Sequence, residues 1–132
     1  MKRQRWFKIK VESGWKPIDI VCRIFLSTAD MNKHIKGLDG YEEGTPGACL
    51  AFIGKETLAL NRLEVCLSAQ WFSWMIASHE ILHLAHRYVE YHKDDEFDTE
   101  EWLCIVHGYF FSVFKEKFDA IFCERTIKES KP

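Results

Sequence analysis

The chain has little that would break or cross-link it. Only three prolines and seven glycines fall among 132 residues, so long helices can run without interruption. None of its five cysteines (Cys22, Cys49, Cys66, Cys104, Cys123) forms a C-x-x-C pair. That argues against a cysteine zinc site. An odd cysteine count with no secretory signal reads as reduced, mostly buried thiols of a cytoplasmic protein. Cys104 stands out among them because it falls near the site proposed below. No apolar run is long enough to span a bilayer. The N-terminal charges pass directly into the alternation Trp6, Phe7, Lys8, Ile9, Lys10, without the apolar stretch of a signal peptide. An excess of one charge is also missing: 18 Lys and Arg stand against 20 Asp and Glu, for a net charge of -2. The basic residues are scattered, and the cluster Lys2, Arg3, Arg5 reads as a solvated terminus. Neither a nucleic-acid partner nor a membrane is expected. Internal repeats and low-complexity stretches are absent.

Apolar residues make up 47% of the chain and aromatic ones 14%, which is enough for one core in a single domain over 1–132. The front half, 1–68, reads as strands and loops. Phe7, Ile9 and Val11 alternate with Lys8, Lys10 and Glu12 at a period of two. Gly14 and Pro17 mark a turn. Ile18, Ile20, Cys22, Ile24 and Leu26 predict a strand with one strongly buried face and a second, partly covered one. A short helix is expected over 28–38, with Met31, Ile35 and Leu38 on one side. Residues 37–47 carry the glycines and proline of a long loop, the kind that is often functional. A strand follows over 48–53, a tight turn at Gly54 and Lys55, a short segment over 57–60, and a strand through Leu63, Val65 and Leu67.

The period then changes. Residues 71–91 contain no Gly or Pro, and Trp71, Met75, Ile76, Leu82, Ala85 and Val89 recur at helical spacing, with Ser68 as N-cap. A polar break at 92–96 precedes a second helix. It starts near Asp98 or Thr99, presents Trp102, Val106, Tyr109, Phe110, Val113 and Phe114 as its apolar side, and ends at about Phe122. The two helices occupy 69–123, and 124–132 is a polar tail. Strands first and helices after predict an α+β fold: an antiparallel or mixed sheet of four to five strands followed by two long packed helices.

The chemistry lies in the run His79-Glu80-Ile81-Leu82-His83 in the first of these helices. Residues four apart sit one turn along and about 40° around. His79 and His83 can therefore aim two imidazole nitrogens at one zinc ion. Glu80 lies on the adjoining face, able to reach a water there without being a ligand itself. Zinc lowers the pKa of such a water to about 7 and polarises a carbonyl, while Glu80 takes the proton and returns it to a leaving amine. A catalytic zinc needs a third protein ligand. The start of the second helix offers Glu101 first and Glu100 second. A competing role exists for Glu101, because Asp98 at N-cap and Glu101 at N3 resemble a capping box. His107 shares a face with Glu100; it could be a transition-state donor or support a ligand from behind, but reads first as a partly buried core histidine. His86 reads either as a residue that supports a metal ligand from behind or as a helix-surface residue. Tyr88, Tyr91 and Tyr109 could each donate to an oxyanion. The stripe Trp102, Tyr109, Phe110 and Phe114 reads as core rather than as a substrate groove.

In these residues the chain resembles the zincin metallopeptidases with a glutamate ligand. More narrowly it looks like the compact ImmA/IrrE-type and phage-encoded zincin-like domains. The likeness rests on His79-Glu80-Ile81-Leu82-His83, on Asp98-Thr99-Glu100-Glu101-Trp102, and on Gly108-Tyr109, and covers about 70–115. Carried over by position, the third ligand of such relatives falls on Glu101; where they have a small residue next, this chain has Trp102. The resemblance implies a zinc-dependent peptidase acting on a protein or peptide substrate, with an edge strand of the sheet holding an extended peptide beside the metal. The alternative is a zincin-like binding or regulatory module, its partner a protein and its metal structural or absent. A third option is a zinc hydrolase acting on other bonds. Oligomeric state is not legible.

Overall fold

Alternation along the strands decides what the sheet buries on each face. The computed structural model describes residues 4–36, 47–53, 60–91 and 99–130. Four strands, β1 (Gln4–Lys8), β2 (Asp19–Phe25), β3 (Gly47–Ile53) and β4 (Leu60–Ser68), form one sheet in the order β1-β2-β4-β3. The sheet is mixed: β1 runs antiparallel to β2, β2 parallel to β4, and β3 antiparallel to β4. Phe7, Cys22, Val65 and Cys49 stand opposite one another across all four strands. All four belong to the main core, with Ile20, Ile24, Leu63 and Leu67. Between β1 and β2 the chain turns at Gly14, whose φ of 92° a side chain would resist.

Two long helices cover this face, α2 (Trp74–Tyr91) and α3 (Thr99–Ser130). Ala77, Ile81, Leu84, Ala85, Tyr88 and Val89 of α2 and Val106, Phe110 and Phe114 of α3 are buried against it. Each large apolar side chain so buried stabilises the fold by about 1.5–3 kcal/mol. The helices run antiparallel: Trp74 meets Phe114 and Phe118, while Tyr88 meets Phe110. Trp15 closes the far end against Tyr88, Trp102 and Tyr109. The aromatic stripe of α3 is thus core, as the sequence suggests. On the opposite face α1 (Thr28–Lys36) packs Met31 and Ile35 onto Phe25, Ala48, Leu50 and Cys66. The α+β class and the paired long helices agree with expectation. No helix among the described residues is long and apolar enough to cross a membrane.

Three details differ from the sequence reading. Ser68 does not cap α2. It ends β4, paired with Phe25, and its hydroxyl bonds that of Thr28 at 2.8 Å. A single 3-10 turn, Ala69–Trp71, intervenes, and Ser73 caps α2 by accepting from Ile76 N at 3.1 Å. The buried face of α2 differs as well: Trp71, Met75 and Leu82 are exposed, because the register set by Ser73 turns Ala77, Ile81 and Leu84 inward instead. Finally, α3 continues to Ser130 rather than ending near Phe122. Glu124, Arg125, Lys128 and Glu129, which are good helix formers, extend it, and no Gly or Pro interrupts it between Phe122 and Ser130. Residues 1–3, 37–46, 54–59, 92–98 and 131–132 lie outside the described residues, and with them most of the expected 37–47 loop and 57–60 segment, the turn at Gly54 and Lys55, the polar break at 92–96 and Asp98.

Candidate metal centre

The start of β3 lies against α2, and the H-E-x-x-H run sits at that contact. Its five residues divide between two environments. Ile81 is fully buried in the core and Leu82 is exposed. His79 and His83 point outward from successive turns, and Glu80 is 7% exposed, tucked toward β3. The two imidazoles converge edge to face, with centroids 4.7 Å apart and Nε2 atoms separated by 3.1 Å. Two nitrogens bound tetrahedrally at about 2.0–2.1 Å would lie about 3.3–3.4 Å apart. The side chains thus stand close to a chelating arrangement. Without a metal, one ring nitrogen donates to the other. Glu80 Oε1 is 3.8 Å from His79 Nε2, and donor atoms of His79, Glu80 and His83 all lie within 4.8 Å of one another, a grouping that could hold a metal ion.

Electrostatics suit this use. Burial holds the His83 ring toward its neutral form, and the positive neighbours His79, Arg87 and His86 push the same way; a neutral imidazole has the lone pair that a metal needs. Burial also raises the Glu80 carboxyl above the usual carboxylate range, with His79 opposing weakly.

The group opens into a cavity of about 260 Å³ lined by Gly47, Ala48, Cys49, His79, Glu80, His83 and Arg87. Gly47 is required by proximity. A Cβ there would meet Glu80 Cγ and Leu67 Cδ2 at 3.0 Å each. The missing side chain is what lets the Glu80 stem lie against the strand. The Cys49 thiol is pushed up to about 12, first by burial and then by Glu80, so it stays protonated at neutral pH. Sequence reasoning did not find Gly47, Cys49 or Arg87. For Arg87 a signal existed: it continues the four-residue spacing His79, His83, Arg87.

The remaining sequence candidates lie elsewhere. Glu100 and Glu101 are exposed in the first turn of α3 and are not in the group around His79 and His83. Trp102 turns into the Trp15 cluster, with ring centroids 5.0 Å apart. His107 is partly buried, stacks near Phe111, and its Nε2 has no hydrogen-bond partner among the described residues. His86 is exposed, 3.9 Å from Glu90. Tyr88 and Tyr109 donate their hydroxyls to the carbonyls of Lys16 and Lys10, which ties both phenols to the turn after β1. The Tyr91 side chain lies outside the described ones. Cys104 is exposed on α3.

A second group, His34, Glu64 and Cys66, also brings metal-type ligands together, on the α1 face of the sheet. It went unnoticed in the sequence, although a glutamate between Leu63 and Val65 in a strand buried on both faces is a signal. Glu64 Oε1 accepts from Arg23 Nε and His34 Nε2, both at 2.7 Å, and Arg62 approaches Oε2 at 3.6 Å. Two guanidinium groups already neutralise this carboxylate and would repel a cation. Burial and Glu64 keep the Cys66 thiol protonated, which is the wrong state for a ligand. The geometry favours an ion-pair cluster that fastens α1 to the sheet. No family model matches the chain, and no curated protein or solved structure matches it either.

Proposed function

We propose that this chain is a zinc-dependent, zincin-like metallopeptidase in which His79 and His83 hold the ion and Glu80 is the general base. The carrying observation is the 3.1 Å approach of the two Nε2 atoms at the wall of a cavity that also receives the buried Glu80 carboxyl. Zinc, when bound, supplies Lewis acidity and brings a water's pKa to about 7. Glu80 accepts the proton released there and delivers it to the leaving amine. Its burial suits both halves of that task, because a carboxyl kept from water holds a proton more readily. For the third ligand we propose Glu101, with Glu100 the alternative, on the motif order alone, since neither stands in the group around His79 and His83. The substrate is a protein or peptide.

Zinc content and peptide cleavage test this together. Purified protein should carry one zinc per chain, and His79→Ala should abolish it. Glu101→Gln should weaken zinc binding by at least about tenfold, more than Glu100→Gln. Glu80→Gln should keep the zinc and lose cleavage. Protein that takes up no zinc at neutral pH would sink the proposal.

A second reading is a protein-binding or regulatory module. Met75 and Leu82 are 79% and 46% exposed, and with His79 they fall at i, i+4 and i+7 on one outward face. Apolar side chains of that kind suit a partner surface. Biological activity that survives Glu80→Gln would favour this reading over catalysis.

A further inference from the structure

Arg87 lines the same cavity as the two histidines and Glu80. It stands one helical turn past His83, about 6 Å along the axis. Its guanidinium makes no hydrogen bond or ion pair among the described residues. The nearby helix carboxylate, Glu90, lies beside His86 instead. Two turns back along α2, Glu80 is buried against Gly47, and its Oε1 lies 3.8 Å from His79 Nε2. Arg87 is nevertheless close enough to the cavity wall for its charge to act on both Cys49 and His83. The wall thus presents one fixed cation with uncommitted donors, beside two imidazoles that would carry a divalent ion. A planar guanidinium is matched in shape and charge by a carboxylate, which it can hold with two parallel hydrogen bonds.

Resting on the peptidase reading above, we infer that Arg87 is a specificity-determining residue: it binds a substrate carboxylate one or two residues from the scissile bond. The spacing fixes that range. An extended peptide advances about 3.3–3.6 Å per residue, so a separation of about 6 Å plus side-chain reach covers one to two residues. The carboxylate has two possible sources, an acidic side chain or the free C-terminus of the peptide, and both present the same group to Arg87.

Four hydroxamates that chelate zinc without being cleaved would test the inference on the zinc-loaded full chain. Malonyl-alanine hydroxamate as free acid, against its amide, probes a terminal carboxylate. Malonyl-aspartamide hydroxamate, against malonyl-asparaginamide hydroxamate, probes a side-chain carboxylate. Calorimetry should show at least one acid binding about tenfold more tightly than its neutral partner, and the pair that shows it identifies the source. Arg87→Gln should bring that ratio to about one while zinc content stays at one per chain, and Arg87→Lys should keep part of it. Equal binding of acids and neutral partners by zinc-loaded wild-type protein would overturn the role of Arg87 and leave the zinc reading standing. A preference for the acids that persists in Arg87→Gln would overturn it as well. Protein that holds no zinc and binds none of the four would bring down both.

Discussion

Glu64 and Glu80 are the two buried carboxylates among the described residues, and they lie on opposite faces of the sheet. Burial raises the proton affinity of both. At Glu64 the His34 and Arg23 hydrogen bonds and charges outweigh burial and hold the carboxyl below its usual range. At Glu80 only His79 opposes burial, and the carboxyl stays above that range. One carboxylate is surrounded by its partners, and the other is kept short of them. Short-handed groups of the second kind concentrate at functional sites, because holding a group out of water without full compensation costs stability. The difference favours an architectural role for the α1 face and supports the chemistry proposed for the α2 face, although both carry a group of metal-type ligands.

The sharpest way to break that comparison is Glu64→Gln. The change leaves Arg23 and His34 facing a neutral amide inside the sheet. Removing one partner of a buried pair costs about 3–5 kcal/mol. Here the Arg23 and His34 side chains are 22% and 30% exposed and can partly rehydrate, so about 2–3 kcal/mol is expected. Urea unfolding at neutral pH measures it. The sign with pH follows from the lowered carboxyl. Its stabilisation is complete above the ordinary value of 4.5 and is lost as pH falls through the lower folded value. The gap between wild type and variant should therefore close in acid. A variant as stable as wild type at neutral pH would remove the architectural role of this cluster.

Gly47→Ala sharpens the other side. The added methyl would crowd Glu80 Cγ, Leu67 Cδ2 and the Cys66 carbonyl at 3.0–3.3 Å. The Glu80 stem is flexible and gives way first, so the loss of stability should be modest, about 1–2 kcal/mol. If Glu80 has the proposed role, the displacement falls on the general base, and cleavage should drop more steeply than stability, by about tenfold or more. Stability lost with cleavage intact would show that Glu80 need not rest against β3.

Much of this arrangement was legible from spacing alone. Period-two alternation marked β1, β2 and β4, and helical spacing marked α2 and α3, because those patterns record which side chains meet the core. His79, Glu80 and His83 were legible for the same local reason: one helix carries all three. What stayed hidden depends on contacts between distant segments. Ser68 and Ser73 are equally good caps by composition. Only the pairing of Phe25 with Ser68 shows that the strand still runs there. Arg23, His34 and Glu64 lie in three separate elements and meet only through the β2–β4 register. Gly47 reads as loop glycine until β3 is laid against α2. The outward placement of Trp71, Met75 and Leu82 was misread because apolar residues on an exposed face mimic the core pattern.

The smallest expected effect has the opposite sign to the first. Glu80→Gln in metal-free protein replaces a carboxylate that burial penalises with a neutral side chain of the same shape. The folded carboxyl binds its proton more tightly than the unfolded one does. Ionising it therefore costs stability as pH rises from the ordinary value of 4.5 through the higher folded value. At neutral pH that cost is fully present in wild type and absent in the variant. Glu80→Gln should be more stable by about 0.5–1 kcal/mol at pH 7, with the gain vanishing below about pH 4. Urea unfolding in the presence of a chelator measures both points. Glu64→Gln and Glu80→Gln should thus shift stability in opposite directions at neutral pH, and both shifts should fade in acid. A destabilised Glu80→Gln would mean that the charge of Glu80 is as well compensated as that of Glu64. The contrast between the two faces of the sheet, and with it the physical ground for placing the chemistry on α2, would then be lost.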